Sequence, residues 1–367
     1  MEIRKIPISW YIILLLIIYI LEKNYKISGI FRGLLKKNVK KIPLETSLDL
    51  CHKMRDDIDV LIYKFLDNDI NDPKLIELTK YSLKGGKRVR PILMLSCFKH
   101  SVKNPHPKQV QAITNSMVAM EYIHCSSLIF DDIMDDDNYR RGKEALHYKY
   151  NIPLAQLVAI NLLTLALKHA VVALKCIDEI SDSHINQELI ILTEITKKLN
   201  NLGMGQYLDV AYADDLKDLG SDIKKLVKGN KIDISTEDII RKNTSSIFEL
   251  CYVITWMVIH YQESPEFINK TKDQIMHLAH IFGMIFQIAD DYEDYEQDSI
   301  NNGKNMVMNY PLNKGLDKAH RHFQLYTKQF SNLSKELNLE TDEIKEIVLY
   351  LKEKEEKYYE YNNKGKC

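Results

Sequence analysis

The run VQAITNSMVAMEYIHCSSLIFDDIMDDD, residues 110–137, decides the fold. From Val110 to Asp135 it is apolar and unbroken by glycine or proline, too long for a strand and well suited to one buried helix. It closes on Asp131, Asp132, Asp135, Asp136 and Asp137. Upstream, Leu48, Met54, Ile58, Leu61, Ile62 and Phe65 recur at three- and four-residue spacing and predict a helix. A second helix over 76–83 is stopped by Gly85-Gly86, residues suited to a helix C-terminus. Pro91 sits where a missing N–H is harmless and opens a third helix through residue 98. Downstream, residues 154–177 are apolar nearly all round and predict a central, buried helix. Residues 214–233 are polar, contain Gly220 and Gly229, and read as a loop or insertion. Ser235 with Asp238 forms a capping pair that starts a helix running to about residue 260. Further helices are expected over 273–294 and, in a polar stretch, over 314–361.

Composition agrees. Apolar residues are 45% and charged residues 28% of the chain, ordinary for a globular protein. The 13 glycines and 9 prolines are about half the usual share, which disfavours many short strands. No alternating strand pattern and no internal repeat is visible. The expected class is all-α, one domain over 42–367. A net charge of -1 gives no nucleic-acid footprint. Six scattered cysteines without a CxxC pair suggest neither a disulfide framework nor a zinc site, so a reduced, intracellular chain is expected. Cys367 is the last residue and is not a prenylation signal, which needs three residues after the Cys.

Residues 1–41 stand apart as a hydrophobic and basic segment. Arg4 and Lys5 precede an apolar run over 8–21, too short to cross a bilayer comfortably. Lys23, Lys26, Arg32, Lys36, Lys37, Lys40 and Lys41 follow with no acid between them. Three readings stay open: a removable organellar address of plastid or mitochondrial type, a retained anchor with membrane contact, or a buried helix. None of them is chemistry.

Two acidic clusters are the first candidates for chemistry. One is the run from Asp131; the other is Asp290-Asp291-Tyr292-Glu293-Asp294. Each is expected at the C-terminal end of an apolar helix, where carboxylates meet the negative end of the macrodipole and repel one another. One such cluster is most simply a solvated acidic face. Two, each behind a buried helix, call for a cation, and oxygen-only ligands suit Mg²⁺. Two basic elements complement them. Lys87, Arg88 and Arg90 precede a helix N-terminus, where free N–H groups welcome an anion. Arg140 and Arg141 follow the first cluster closely and present planar forks for phosphate. Together they suggest a site for two polyphosphorylated ligands.

The strings GGKRVRP, IHCSSLIFDDIMDDDNYRRG and FQIADDYEDYEQD resemble the signature blocks of the trans-prenyltransferases, the (E)-isoprenyl diphosphate synthases. Their order and spacing match over residues 48–351. The resemblance implies a bundle of antiparallel helices around a central cavity, usually homodimeric, that condenses isopentenyl diphosphate with an allylic diphosphate. It implies isopentenyl diphosphate contacts at Lys87, Arg90, His124 and Arg141. It implies Mg²⁺ ligands among Asp131, Asp132, Asp135, Asp290, Asp291 and Asp294, an allylic diphosphate contact at Arg140, and reaction-centre roles for Gln287 and Lys304. A helix that carries a Lys-Thr pair in relatives reads Asn243-Thr244 here, with Lys242 one residue early. One residue is about 100° of helix, so Lys242 reaches the diphosphate only if the helix is locally rewound. Small residues at Ser126 and Ser127, one turn before Asp131, imply a product of geranylgeranyl length or longer, with Tyr122 as a deeper floor. A non-catalytic regulatory subunit of a heteromeric synthase is the rival expectation.

Overall fold

The computed structural model describes residues 48–181, 187–212, 235–300 and 309–364, together with Leu44. The segment 1–41, the polar stretch 214–233, Lys304 and Cys367 lie outside these residues. Helices α1 (Asp49–Asp69), α2 (Pro73–Leu83), α3 (Val89–Ser101) and α4 (Pro107–Met134) come first. Asp72 caps α2 by accepting the Leu75 N–H, with Pro73 at its first position. His106 and Gln109 form a reciprocal capping box at the start of α4. Gly85 takes φ 86° just beyond α2, as the expected stop requires. The third helix begins at Val89, two residues before Pro91, with Arg88 in the left-handed region at φ 54°.

A short hairpin follows, β1 (Tyr139–Arg140) and β2 (Lys143–Glu144), pairing Tyr139 with Glu144 and Arg140 with Lys143. It is a minor element in an otherwise helical fold. Its two central residues, Arg141 and Gly142, have φ 54° and 73°, the doubly positive turn that matches strand twist. Next come α5 (Leu146–Lys149), α6 (Ile152–Asp178) and α7 (Gln187–Tyr212). The Ser235 cap starts α8 (Thr236–Ile240), as its pairing with Asp238 predicts. A π-helical turn at Arg241–Ser245 then leads into α9 (Ser246–Ile259). The chain finishes with α10 (Pro265–Ile300), α11 (Tyr310–Lys314), α12 (Leu316–Glu336) and α13 (Asp342–Lys364).

The most extensive helix contact is α4 on α6. Ser126 Oγ donates to the Ala159 carbonyl at 2.8 Å, and Asn115 meets His169 at 2.8 Å, so the two helices run antiparallel. Asp69 takes the other His169 nitrogen at 2.6 Å and ties α1 to the pair. Phe248, Phe282 and Phe330 stack edge-on and tilted at 4.9 and 5.3 Å between α9, α10 and α12. This apolar core supplies most of the driving force at about 25 cal/mol per Å² buried. The five described cysteines are buried and free. The expectation of a wholly buried helix fails for α6. Leu157, Ile160, Leu167 and Val171 lie on an exposed face, because α4 covers one side of α6 and no described element covers the other.

Candidate active site

The first acidic run ends α4. Asp135 is its C-cap, with its N–H on the Asp131 carbonyl at 2.8 Å, and Asp136 turns left-handed at φ 53°. Asp131 is half-buried and Asp135 exposed. Asp132 is buried and accepts from Arg140 Nε at 2.6 Å and Nη2 at 2.5 Å. Burial raises its pKa and Arg140 opposes the rise. The Asp132 Oδ1 and the Arg140 fork are thus engaged with each other in this structure. That sets Asp132 apart from Asp131 and Asp135 as a metal ligand, and ties Arg140 to the motif's own carboxylate.

The basic elements meet. A methyl group on Gly86 would collide with Arg88 Nη1 and lie 3.0 Å from Arg141 Nη1, so only glycine lets the two guanidinium groups close over the turn. Arg141 Nη1 also reaches the Leu83 carbonyl at 3.3 Å. Its left-handed backbone is a costly conformation for a residue with a Cβ, of the kind that collects at functional sites. Arg88 is a strut. It is fully buried between Asp59 (2.6 Å) and Glu121 (2.5 Å) and donates to the Leu83 carbonyl at 2.7 Å.

Arg90, two residues on, is different. It is buried, its Nε has no hydrogen-bond partner, and its guanidinium lies 4.5 Å from the centroid of the Phe248 ring. Burial lowers its pKa, while Glu121 and Asp290 act to keep it charged. His124 is half-buried with an unpartnered Nδ1. Burial, then Arg90, Arg141, Arg88 and Arg140, holds its pKa well below the ordinary imidazole value, so it is neutral. Two buried polar atoms without partners beside several cationic groups make an anion pocket. Lys87 is exposed at its rim.

The second acidic cluster lies within α10, which continues to Ile300, rather than at a helix end. Asp290 pairs with Lys354 Nζ of α13 at 2.5 Å. Asp291 is buried, with Oδ1 accepting from Gln287 Nε2 at 2.7 Å and Oδ2 from the Tyr310 N–H at 2.8 Å. Both its oxygens serve protein donors, which counts against Asp291 as a metal ligand. Thr244 Oγ1 donates to Gln287 Oε1 at 2.5 Å, so Thr244, Gln287 and Asp291 form one chain of hydrogen bonds. Asp294 reaches solvent. Desolvation by the atoms crowded round it, then Asp298, Asp290 and Glu293, push its carboxyl up to about 7. Given its exposure, repulsion by those three carboxylates is the part that carries weight, and a divalent cation would relieve it.

Among the described residues no three His, Cys, Asp or Glu side chains stand together as a metal cage. Mg²⁺ itself takes one or two carboxylates and fills its remaining positions with water and phosphate oxygens. Asp131, Asp135, Asp290 and Asp294 are the residues that could hold it.

The π turn rewinds the helix where Lys242 would otherwise be out of phase. Asn243 packs its amide where a Gly205 side chain would be, and its Oδ1 is buried without a partner. Lys242 is half-buried beside it. Below the motifs a small apolar cavity is lined by Ser116, Ala119 and Met120 of α4 and by Ala170, Ala173 and Leu174 of α6. Ser116 is fifteen residues before Asp131, or about 22 Å along the helix. Tyr122 is not among the lining residues. It is fully buried, with its hydroxyl toward the Ile62 carbonyl and its ring 5.8 Å from His169.

A sequence model described as polyprenyl synthetase matches residues 72–343. The chain belongs to the polyprenyl synthetase family, the trans-isoprenyl diphosphate synthases. Among relatives of this family member, a farnesyl diphosphate synthase of Haemophilus influenzae is 28% identical over 275 residues, 71% of this chain and 83% of its own. A chloroplastic geranylgeranyl pyrophosphate synthase of Catharanthus roseus is 29% identical over 263 residues, 67% of this chain and 64% of its own. The crystal structure of a geranyltranstransferase from Thermotoga maritima superposes with TM-score 0.60 at 21% identity, covering 84% of this chain and 99% of that one. The isoprenoid synthase fold expected for the family is the fold observed. Sequence reasoning missed Phe248 as the shelf for Arg90, and Lys354, which sits in the run KEKEEK and looks there like a solvated lysine.

Proposed function

We propose that this family member is a Mg²⁺-dependent trans-prenyltransferase that joins isopentenyl diphosphate to an allylic diphosphate and makes a geranylgeranyl or longer diphosphate. The observation that carries the reading is the buried, carboxylate-free side of Arg90 beside neutral His124 and Arg141. A diphosphate supplies the missing partners. Arg90, His124, Arg141 and rim Lys87 would bind isopentenyl diphosphate, and the Asp131/Asp135 and Asp290/Asp294 pairs would hold Mg²⁺ on the allylic diphosphate. Mg²⁺ there neutralises charge on the departing diphosphate. Thr244 and Gln287 hold a polar edge next to the second motif, and the small residues Ser126 and Ser127 one turn before Asp131 support a long product over a short one.

The exposed residues Leu157, Ile160, Thr164, Leu167 and Val171 follow alternating three- and four-residue spacing on α6. That is the seam along which helices pair, and it supports a dimer with a second copy. The rival reading, a regulatory subunit in a heteromer, has one observation in its favour: the buried, unpartnered Asn243 Oδ1 where relatives have lysine. Residues 1–41 are proposed, on sequence alone, as an organellar address or membrane tether. Incubating the purified chain with Mg²⁺, labelled isopentenyl diphosphate and separate allylic primers tests the activity. Label in a polyprenyl product supports catalysis, and none with any primer supports the regulatory reading.

A further inference from the structure

Lys354 lies on the face of α13 that also carries Ile347, Leu351 and Tyr358, all buried. A leucine would serve packing at that position. Instead there is a lysine of 2% side-chain exposure whose Nζ sits between Asp290 at 2.5 Å and Glu293. Taking an ammonium group out of water is costly and is offset only by close opposite charge. Asp290 and Glu293 are three residues apart on one face of α10, and the lysine bridges them. Asp294, one turn from Asp290, stands outside that bridge and reaches solvent. Asp290 therefore has two possible counter-charges: the ammonium of Lys354, already in place, or a divalent cation shared with Asp294.

We propose that Lys354 is a positioning residue that sets the metal affinity of the second acidic motif by competing for Asp290. The inference rests on the reading that this motif holds Mg²⁺. With Lys354 on Asp290, a bare cation meets a carboxylate whose charge is already balanced and a fixed positive charge beside it. A cation arriving with a diphosphate brings its own negative charge and displaces the lysine more readily. Lys354 keeps Glu293 as its partner after the exchange, so its charge does not become stranded. The second motif is thereby kept from filling with metal before substrate is present.

The test is Mn²⁺ binding to the full chain, followed by the electron paramagnetic resonance of free Mn²⁺, with and without inorganic pyrophosphate. Lys354→Met should bind Mn²⁺ about tenfold more tightly than the parent without pyrophosphate, because one neighbouring positive charge is gone. With pyrophosphate the difference should shrink. Lys354→Arg should behave as the parent. Lys354→Met/Glu293→Gln leaves one fewer carboxylate unpaired and should still bind more tightly, which keeps the test sound if the single variant folds poorly. In an Asp290→Asn background, Lys354→Met should have a clearly smaller effect, because only the through-space repulsion and not the competition is left to remove. Mn²⁺ binding without pyrophosphate that is equally weak in parent and Lys354→Met, while both bind Mn²⁺ with pyrophosphate, would overturn the competition and spare the metal reading. No Mn²⁺ binding in any variant, with pyrophosphate present, would overturn both.

Discussion

Replacing Arg88 and Arg90, one at a time, by methionine places opposite demands on a single helix start. Arg88 neutralises Asp59 and Glu121 with its side chain wholly buried and Glu121 1% exposed. Removing one partner of a buried pair costs about 3–5 kcal/mol because the other charge is left behind. At about 2 °C per kcal/mol for a large domain, Arg88→Met should lower Tm by roughly 6–10 °C. Arg90 has no carboxylate within bonding distance and a bare Nε; what it loses is the ring contact with Phe248, worth about 0.5–2 kcal/mol. A buried, unpaired guanidinium is itself a cost, so Arg90→Met should leave Tm level or raise it. Its penalty should fall on substrate instead. A hydrogen bond to a charged group is worth about 1.5–3 kcal/mol, or roughly a 10- to 150-fold rise in KM for isopentenyl diphosphate. Differential scanning calorimetry and steady-state kinetics on both variants decide the matter. If Arg90→Met melts early with KM unchanged, Arg90 is a packing residue and the anion pocket is wrong.

Gly86→Ala should push the Arg88 and Arg141 guanidinium groups apart, costing about 1–3 kcal/mol in a urea melt, and should raise KM for isopentenyl diphosphate more than it lowers kcat. Glu355 is buried, and burial raises its carboxyl to about 7 against the pull of His320. Between its ordinary value and 7 the folded chain holds a proton that the unfolded chain has released, so this group makes stability fall as pH rises. Glu355→Gln should therefore match the parent near pH 4.5 and exceed it by about 1–3 kcal/mol at pH 8; a pH-independent difference in urea melts would refute this. Ser126→Phe should shorten the product in a chain-length assay, since an aromatic ring would replace a small residue five positions before Asp131. The phenyl group also displaces the hydroxyl from the Ala159 carbonyl, so a product unchanged in length from a stably folded variant sinks the reading.

Long elements were legible in the sequence because periodicity and caps agree over many residues. The Ser235 cap, the glycine stop after α2 and the length of α4 are examples. Short elements and faces were not. A hairpin of two residues a side has no alternation to detect, and its signal is only Arg141-Gly142 at the turn. The apolar girdle of α6 reads as burial, yet composition cannot say whether this chain or another covers the second side. At the site, types and order of residues were visible, but not which charges cancel internally. Arg88 and Arg90 look alike in GGKRVRP, and only Asp59 and Glu121, 29 and 33 positions away, tell them apart. Lys354 gave no signal because Asp290 lies 64 residues upstream and Glu293 is close to it.

The π turn at Arg241–Ser245 separates two stretches of backbone that would otherwise be one rigid rod. On its far side Ser245 presses against Gly283, its Cα 2.8 Å from where a side chain there would begin, and Phe248 keeps its place beside Phe282. On its near side Asn243 leans on Gly205. The wider coil acts as an expansion joint: phase can be gained or lost upstream while the aromatic wall downstream stays in register. In this chain the asparagine just ahead of Thr244 is thereby seated without re-cutting the chamber behind it.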